Sequence, residues 1–370
     1  MDPHVTNPIS HQPRLALVTG STGFIGSNLV RVLLEEGVSL RALVEPGVGT
    51  QNLNGLDVEQ VEGDLRDRAA LARAVEGCDT VYHLGAIFDY WLPQPVEMFR
   101  VNVEGTVNMM TAARDAGVKR VMHCSTVASV GTLPGEEAAT EETPFNNWET
   151  SDDYVLSKYM AENEAMRFND SAMQVVAGLP CMPFGRNDIS PTPTGMLAQR
   201  YVDAQNPAVF TGGLNCVNVR DVARGFHLCA TRGRPGQSYI MGGHNVTYRE
   251  MADVLCAAAG TKIPRYTMHP GKLAWLGRVN EWFSALTGVK PYFSRKSMIF
   301  LGGRYLYFDI AKARAELGYE PVSLEETMEE CARWFGEERE RVLAGEVVHP
   351  LASRPAPAAE PMAAPSVHAE

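Results

Sequence analysis

Through its first half the chain alternates short aliphatic and β-branched runs with stretches whose apolar positions recur at helical spacing. Leu15–Thr19 is the first such run, and it empties into a glycine-rich loop. Phe24–Glu36 has helical spacing and stops at Gly37, a residue free to take the left-handed conformation that closes a helix. Further strands are predicted over Leu40–Val44, Val58–Glu62, Thr80–Leu84, Arg120–Cys124 and Met173–Ala177. Helices are predicted over Arg68–Glu76, from about Pro95 to Ala116 with Gly117 behind it, and around Tyr154–Phe168. Strand–helix alternation of this kind implies parallel strands joined by crossovers, with helices on both faces. The predicted fold class is therefore α/β, a doubly wound parallel sheet.

After Pro180 the rhythm weakens. Prolines and glycines cluster through Pro183–Gly195, which predicts a loop that closes over something. Strand–helix returns near Asn215–Cys229 and Gln237–Gly260 are expected to add to the main sheet. The expected organisation is a nucleotide-binding domain over 14–185, its sheet completed by parts of 215–260, and a smaller C-terminal substrate-binding part over 186–347. Residues 1–13 and 348–370 are expected to be disordered; the second of these segments carries five prolines and seven alanines between His349 and Glu370. Leu273, Leu276, Val279, Trp282, Phe283 and Leu286 form an apolar stripe at helical spacing, either core packing or a lid over a greasy substrate.

Composition narrows the function classes. A formal charge of −11, with 44 acidic against 33 basic residues and no basic run, argues against a nucleic-acid partner. Seven dispersed cysteines without C-x-x-C pairing read as reduced thiols, and the nine histidines show no metal-ligand spacing, so no metal site is expected. Nothing resembles a signal peptide or a membrane span, and a cytoplasmic location is expected.

Gly20-Ser21-Thr22-Gly23-Phe24-Ile25-Gly26 joins the first strand to the first helix. Gly20 permits a tight turn, Gly23 lets backbone approach a pyrophosphate, and Gly26 lets the helix pack on the strand. Free N–H groups at the helix start then meet the phosphates. This is a Rossmann dinucleotide loop with G-x-x-G-x-x-G spacing. Glu45, at the end of the second strand, can accept both ribose hydroxyls of NAD and repel the 2′-phosphate of NADP, so NAD(H) is expected in preference to NADP(H). The alternative is a merely solvated loop acid. Arg41, inside the strand, is badly placed for a phosphate clamp.

Tyr154 and Lys158 form a Y-x-x-x-K at the start of a helix, where one turn puts phenol and ammonium on one face. A nearby cation favours the phenolate and makes the tyrosine a usable proton donor and acceptor. Ser125-Thr126 closes the strand Arg120–Cys124 and offers a second hydrogen-bond partner to a substrate oxygen.

These motifs, in this order, resemble the extended (atypical) short-chain dehydrogenase/reductases of the NAD-dependent epimerase/dehydratase family. Within it the chain looks closest to the hopanoid-associated sugar epimerase-like and dihydroflavonol 4-reductase-like branches. The resemblance runs from Leu15 to about Gly185, and more loosely to about Gly336. It implies Thr126 as the catalytic hydroxyl, with Ser125 as fallback, and Asn102 of the N-V-x-G-T segment as the residue holding the active-site architecture. It implies cofactor contacts from Asp64 and Leu65 at the adenine, from Leu84, Gly85 and Ala86 along the ribose, and from Thr22, Ser125 and Pro180. A homodimer is its further implication. His83 reads as a strand-end residue packed under the cofactor.

The same triad serves reductases and epimerases. Gly178-Leu179-Pro180-Cys181 is closer to flavonol-type reductases than to nucleotide-sugar enzymes, Cys181 and Met182 are expected at the substrate, and Phe88, Tyr90 and Trp91 make an aromatic loop at the cofactor mouth. A small hydrophobic or aromatic carbonyl substrate is expected, one that could draw the protein to a membrane surface; a sugar nucleotide is the alternative. A non-catalytic NAD sensor is a third possibility, although it would be expected to lose the triad.

Overall fold

The computed structural model describes residues 11–88, 92, 94–206, 208–268, 282 and 303–348. Seven strands form the main sheet: β1 (Leu15–Thr19), β2 (Ser39–Val44), β3 (Glu59–Glu62), β4 (Thr80–His83), β5 (Arg120–Cys124), β6 (Gln174–Pro180) and, last in sequence, Ser238–Met241. The last of these lies beside β6, and the order continues β5, β4, β1, β2, β3, every pair parallel. β4 and β5 are buried along their whole length because helices cover both faces. Ala16 and Val18 pack towards the helices Phe24–Glu35 and Val219–Arg232. Leu17 faces the opposite layer with Met109, Ala113 and Ala165. The strand order reverses between β1 and β4, and the crevice at their carboxyl ends is the place where such folds bind ligands.

Several expectations change in detail. The strand predicted over Met173–Ala177 continues to Pro180, because Gly178 leaves room for Phe226: a Cβ there would lie 2.5 Å from that ring. The helix expected from Pro95 to Ala116 is interrupted by a wide π turn at Arg100–Glu104, between Pro95–Phe99 and Gly105–Asp115. Of the two later returns, only Ser238–Met241 joins the main sheet. Gly213–Asn218 instead builds a second, mixed sheet with Met182–Phe184, His244–Thr247 and Tyr305–Leu306, while the helix that follows it packs on the main sheet. Its core gathers Phe184, Tyr201, Met251, Leu255, Met328 and Trp334.

Of the start expected to be disordered, residues 11–13 are described and packed: the His11 N–H donates to Thr231 O (3.1 Å), and its Nε2 lies 2.7 Å from Thr80 Oγ1. The tail from 349 on, Tyr90 and Trp91 lie outside the described residues. So does the apolar stripe, except for Trp282, which is helical and exposed. Among the described residues no helix is long and apolar enough to cross a membrane, and no cluster of side chains could hold a metal ion.

Candidate active site

Gly20 has φ +66°, and a Cβ on it would stand 2.8 Å from the Leu84 carbonyl carbon and 2.9 Å from Gly85 N. Only glycine lets β1 and β4 close together there. A Cβ on Gly26 would collide with the Gly20 carbonyl oxygen. The helix Phe24–Glu35 then begins at Gly23 with no side-chain cap and no acid in its first turn, so its leading N–H groups are left for an anion. Phe24 and Ile25 are half-buried at this start. The residues present therefore fit a dinucleotide pyrophosphate.

A buried relay braces this crevice. Thr106 donates its hydroxyl proton to the Asn102 carbonyl (2.6 Å), so its oxygen accepts from His83 Nε2 (3.0 Å). The proton thus sits on Nε2, and Nδ1 accepts from the Thr19 hydroxyl (2.8 Å). Thr19 Oγ1 accepts in turn from Leu84 N (3.1 Å) and Gly85 N (2.9 Å). Burial, helped by the Lys158 charge, pushes the His83 pKa down to about 3, and the ring stays neutral. Gly85 admits Leu65, whose Cδ1 would stand 3.1 Å from a Cβ there; Ala86 follows, half-buried.

Glu45 stands exposed directly after β2. Arg41 is committed elsewhere: its Nε donates to Glu59 (2.9 Å) and its guanidinium to the Ala74 and Glu76 carbonyls. The Asp64 carboxylate is turned onto Arg66, which donates from Nε (3.0 Å) and from its terminal nitrogen (2.6 Å) and holds the acid below the usual carboxylate range. Arg66 was missed in the sequence, although its place two residues after Asp64 was a signal for this clamp.

Asn102 sits in the π turn with 1% exposure. Its amide accepts from Ile87 N (2.7 Å) and donates to Ile87 O (3.1 Å) and Ser157 Oγ (2.9 Å). Ser157 donates to the Tyr154 carbonyl (2.8 Å). One side chain thereby ties the loop after β4 to the helix Asp153–Met166, which Asp152 caps through Val155 N (3.0 Å). Tyr154 and Lys158 lie one turn apart on that helix, and the Phe88 ring stands 4.7 Å from the Tyr154 ring, tilted by 57°. Lys158 is buried and donates to Cys124 O (2.5 Å); burial lowers its pKa, opposed by Cys124 and Glu162.

The two strand-end hydroxyls differ. Thr126 Oγ1 accepts from Ala128 N (3.2 Å) and keeps its proton for another acceptor. Ser125 is buried and donates its proton to Glu162 Oε2 (2.6 Å). Pro180 and Cys181 are buried and Met182 is half-buried, at the junction of the two sheets.

A glycine loop at the switch point, a Y-x-x-x-K helix and a strand-end hydroxyl on a parallel sheet define a short-chain dehydrogenase/reductase of the extended type. The chain belongs to the NAD dependent epimerase/dehydratase family, whose sequence model matches residues 16–242. It is an enzyme that acts on CH–OH and C=O groups, in a family that binds NAD(P). It is 34% identical over 325 residues to a Synechocystis sp. protein named "Putative dihydroflavonol 4-reductase", covering 86% of this chain and 93% of that one. The crystal structure of gox2253 superposes with a TM-score of 0.78 at 36% identity, covering 88% of this chain and 98% of that one. DesIV of Streptomyces venezuelae, a dTDP-glucose 4,6-dehydratase solved (as a double mutant) with NAD and DAU bound, superposes with a TM-score of 0.70 at 26% identity, covering 88% and 98%.

Proposed function

We propose that this protein is an NAD(H)-dependent ketone reductase/alcohol dehydrogenase for a hydrophobic or aromatic carbonyl compound, with Tyr154 as acid/base. The observation that carries the reading is the Phe88 ring against Tyr154, an aromatic wall beside the proton donor. The flavonol-type name of the Synechocystis relative points to the same substrate class.

When bound, the reduced dinucleotide supplies the hydride. Tyr154 donates its phenolic proton to the substrate oxygen. Thr126 donates a second hydrogen bond to that oxygen, which stabilises the charge that develops on it. Lys158 lies one turn away, where its ammonium form favours the phenolate left behind. Asn102, through Ser157, fixes the first turn of the helix that carries both. The glycine loop, Leu65, Leu84, Gly85 and Ala86 line the dinucleotide crevice.

The test is the reduced-nicotinamide absorbance with a panel of aryl and alicyclic ketones and of sugar nucleotides. Net NADH loss with ketones alone is expected. The second reading, a sugar-nucleotide epimerase or dehydratase, has the NAD-bound dehydratase neighbour in its favour. Sugar-nucleotide conversion without net NADH loss would establish it in place of the first.

NAD(H) preference rests on Glu45, exposed at the end of β2 with no arginine free beside it in the strand. Glu45→Arg is expected to raise the ratio of NADPH to NADH kcat/KM by about 10- to 100-fold, through a charge-assisted contact to the 2′-phosphate. An unchanged ratio would remove Glu45 from cofactor selection.

A further inference from the structure

One half-buried carboxylate is not used in the chemistry above. Glu162 lies on the helix Asp153–Met166, four residues and therefore one turn beyond Lys158. Its Oε2 accepts from Ser125 Oγ (2.6 Å) and Ser129 Oγ (2.7 Å), and its Oε1 accepts from Ser238 Oγ (2.7 Å). Among the described residues it makes no salt bridge. Three hydroxyls, two from the 124–129 turn and one from the strand Ser238–Met241, surround it instead.

These donors surround one short piece of chain. Lys158 grips the Cys124 carbonyl at its start. Glu162 grips the side chains of Ser125 and Ser129. Ser129 also lies over the Thr126 carbonyl, with its Oγ at 2.7 Å and its N–H at 3.0 Å. Thr126 is thus held at both flanks by two residues of one helix, the helix that carries Tyr154. Its own side chain stays outside the cluster, half-buried.

We propose that Glu162 is a positioning residue: it fixes the 124–129 turn so that the Thr126 hydroxyl shares the substrate oxygen with Tyr154. The proposal rests on the reading of Thr126 given above. A carboxylate suits the task because it offers only acceptor sites: Ser125 and Ser238 turn their protons to it, and Ser129 divides its one proton between it and the Thr126 carbonyl. With all three protons committed, neither Ser125 nor Ser129 can compete with Thr126 for the substrate.

Glu162→Gln keeps the size but replaces one acceptor with a donor. The test compares it, alone and with Thr126→Ala, on whichever ketone of the panel the parent reduces fastest. Alone it is expected to lower kcat about 10-fold, with the NADH Kd within about twofold and the melting temperature nearly kept. In the Thr126→Ala background it is expected to change kcat less than twofold, because the group it positions is gone. Amide hydrogen exchange over residues 124–130 of the whole protein is expected to quicken severalfold, a readout that needs no substrate. Equal fold losses in both backgrounds, or unaltered exchange over 124–130, would overturn the proposal. Full activity of Thr126→Ala alone is a separate result: it sinks the catalytic role of Thr126, and hydrogen exchange then judges Glu162 by itself.

Discussion

Tyr154→Phe is expected to lower turnover at least 10³-fold and to leave the NADH Kd within about threefold. The change removes one oxygen atom. The Phe88 contact survives because a phenyl ring still faces it at Tyr154's place, and the Asn102–Ser157 bonds reach only the Tyr154 backbone carbonyl. Geometry is retained and the proton is lost, so kcat should fall with little change in binding. Stopped-flow NADH binding beside steady-state turnover checks both halves. Turnover within tenfold of the parent would mean that another group delivers the proton.

The second large effect concerns stability. Arg120 opens β5 with 0% exposure, and among the described residues no carboxylate pairs with it. Its guanidinium donates instead to backbone carbonyls at the end of the helix Val219–Arg232: Ala230 O (2.9 Å) and Cys229 O (2.9 Å) within it, and Gly233 O just past it. A further bond reaches Gln174 Oε1 (3.0 Å). The cation therefore caps a helix from inside the protein, where the negative end of the helix dipole offsets part of its burial cost. Arg120→Ala takes a donor from three carbonyls, of which Cys229 O keeps the Gly233 N–H (3.1 Å), and opens a cavity. A loss of about 3–5 kcal/mol is expected, seen as a fall of about 5–10 °C in melting temperature. Arg120→Lys should recover only part of it, since one ammonium cannot span the fork. A melting temperature unchanged in Arg120→Ala would refute the capping role.

Much of the main sheet was legible because its strands are buried on both faces and read as unbroken apolar runs, each followed by a helix-period stretch. The glycine loop was legible for a different reason: Gly20 and Gly26 stand where backbone meets backbone, and no other residue serves. The second sheet was not. Tyr305–Leu306 and Met182–Phe184 are too short for length or alternation to mark them, and the return expected near Asn215–Cys229 carried no local sign that its strand, Gly213–Asn218, belongs to a separate sheet. Asn215 is buried there because its amide is paired with Asn245 (2.7 Å), a partnership that sequence spacing does not announce. Glu162 was hidden for the same reason. A glutamate in a helix looks like a solvated residue until the strand ends around it supply three hydroxyls. Tyr154 and Lys158 could be singled out from one helical turn of spacing, and Thr126 and Asn102 from the family resemblance, whereas the groups that hold them come from afar.

The π turn at Arg100–Glu104 has one more consequence. It amounts to a single surplus residue in an otherwise regular helix, and each residue of an α-helix advances the face by about 100°. Asn102 is thereby freed from the angular bookkeeping that governs Thr106, Met109, Met110 and Ala113, which pack into the core below it. The lower part of the helix can change its packing under pressure for stability while the amide above keeps its aim on Ile87 and Ser157. One helix then contains two parts that sequence change can tune separately, with the joint between them only a turn long.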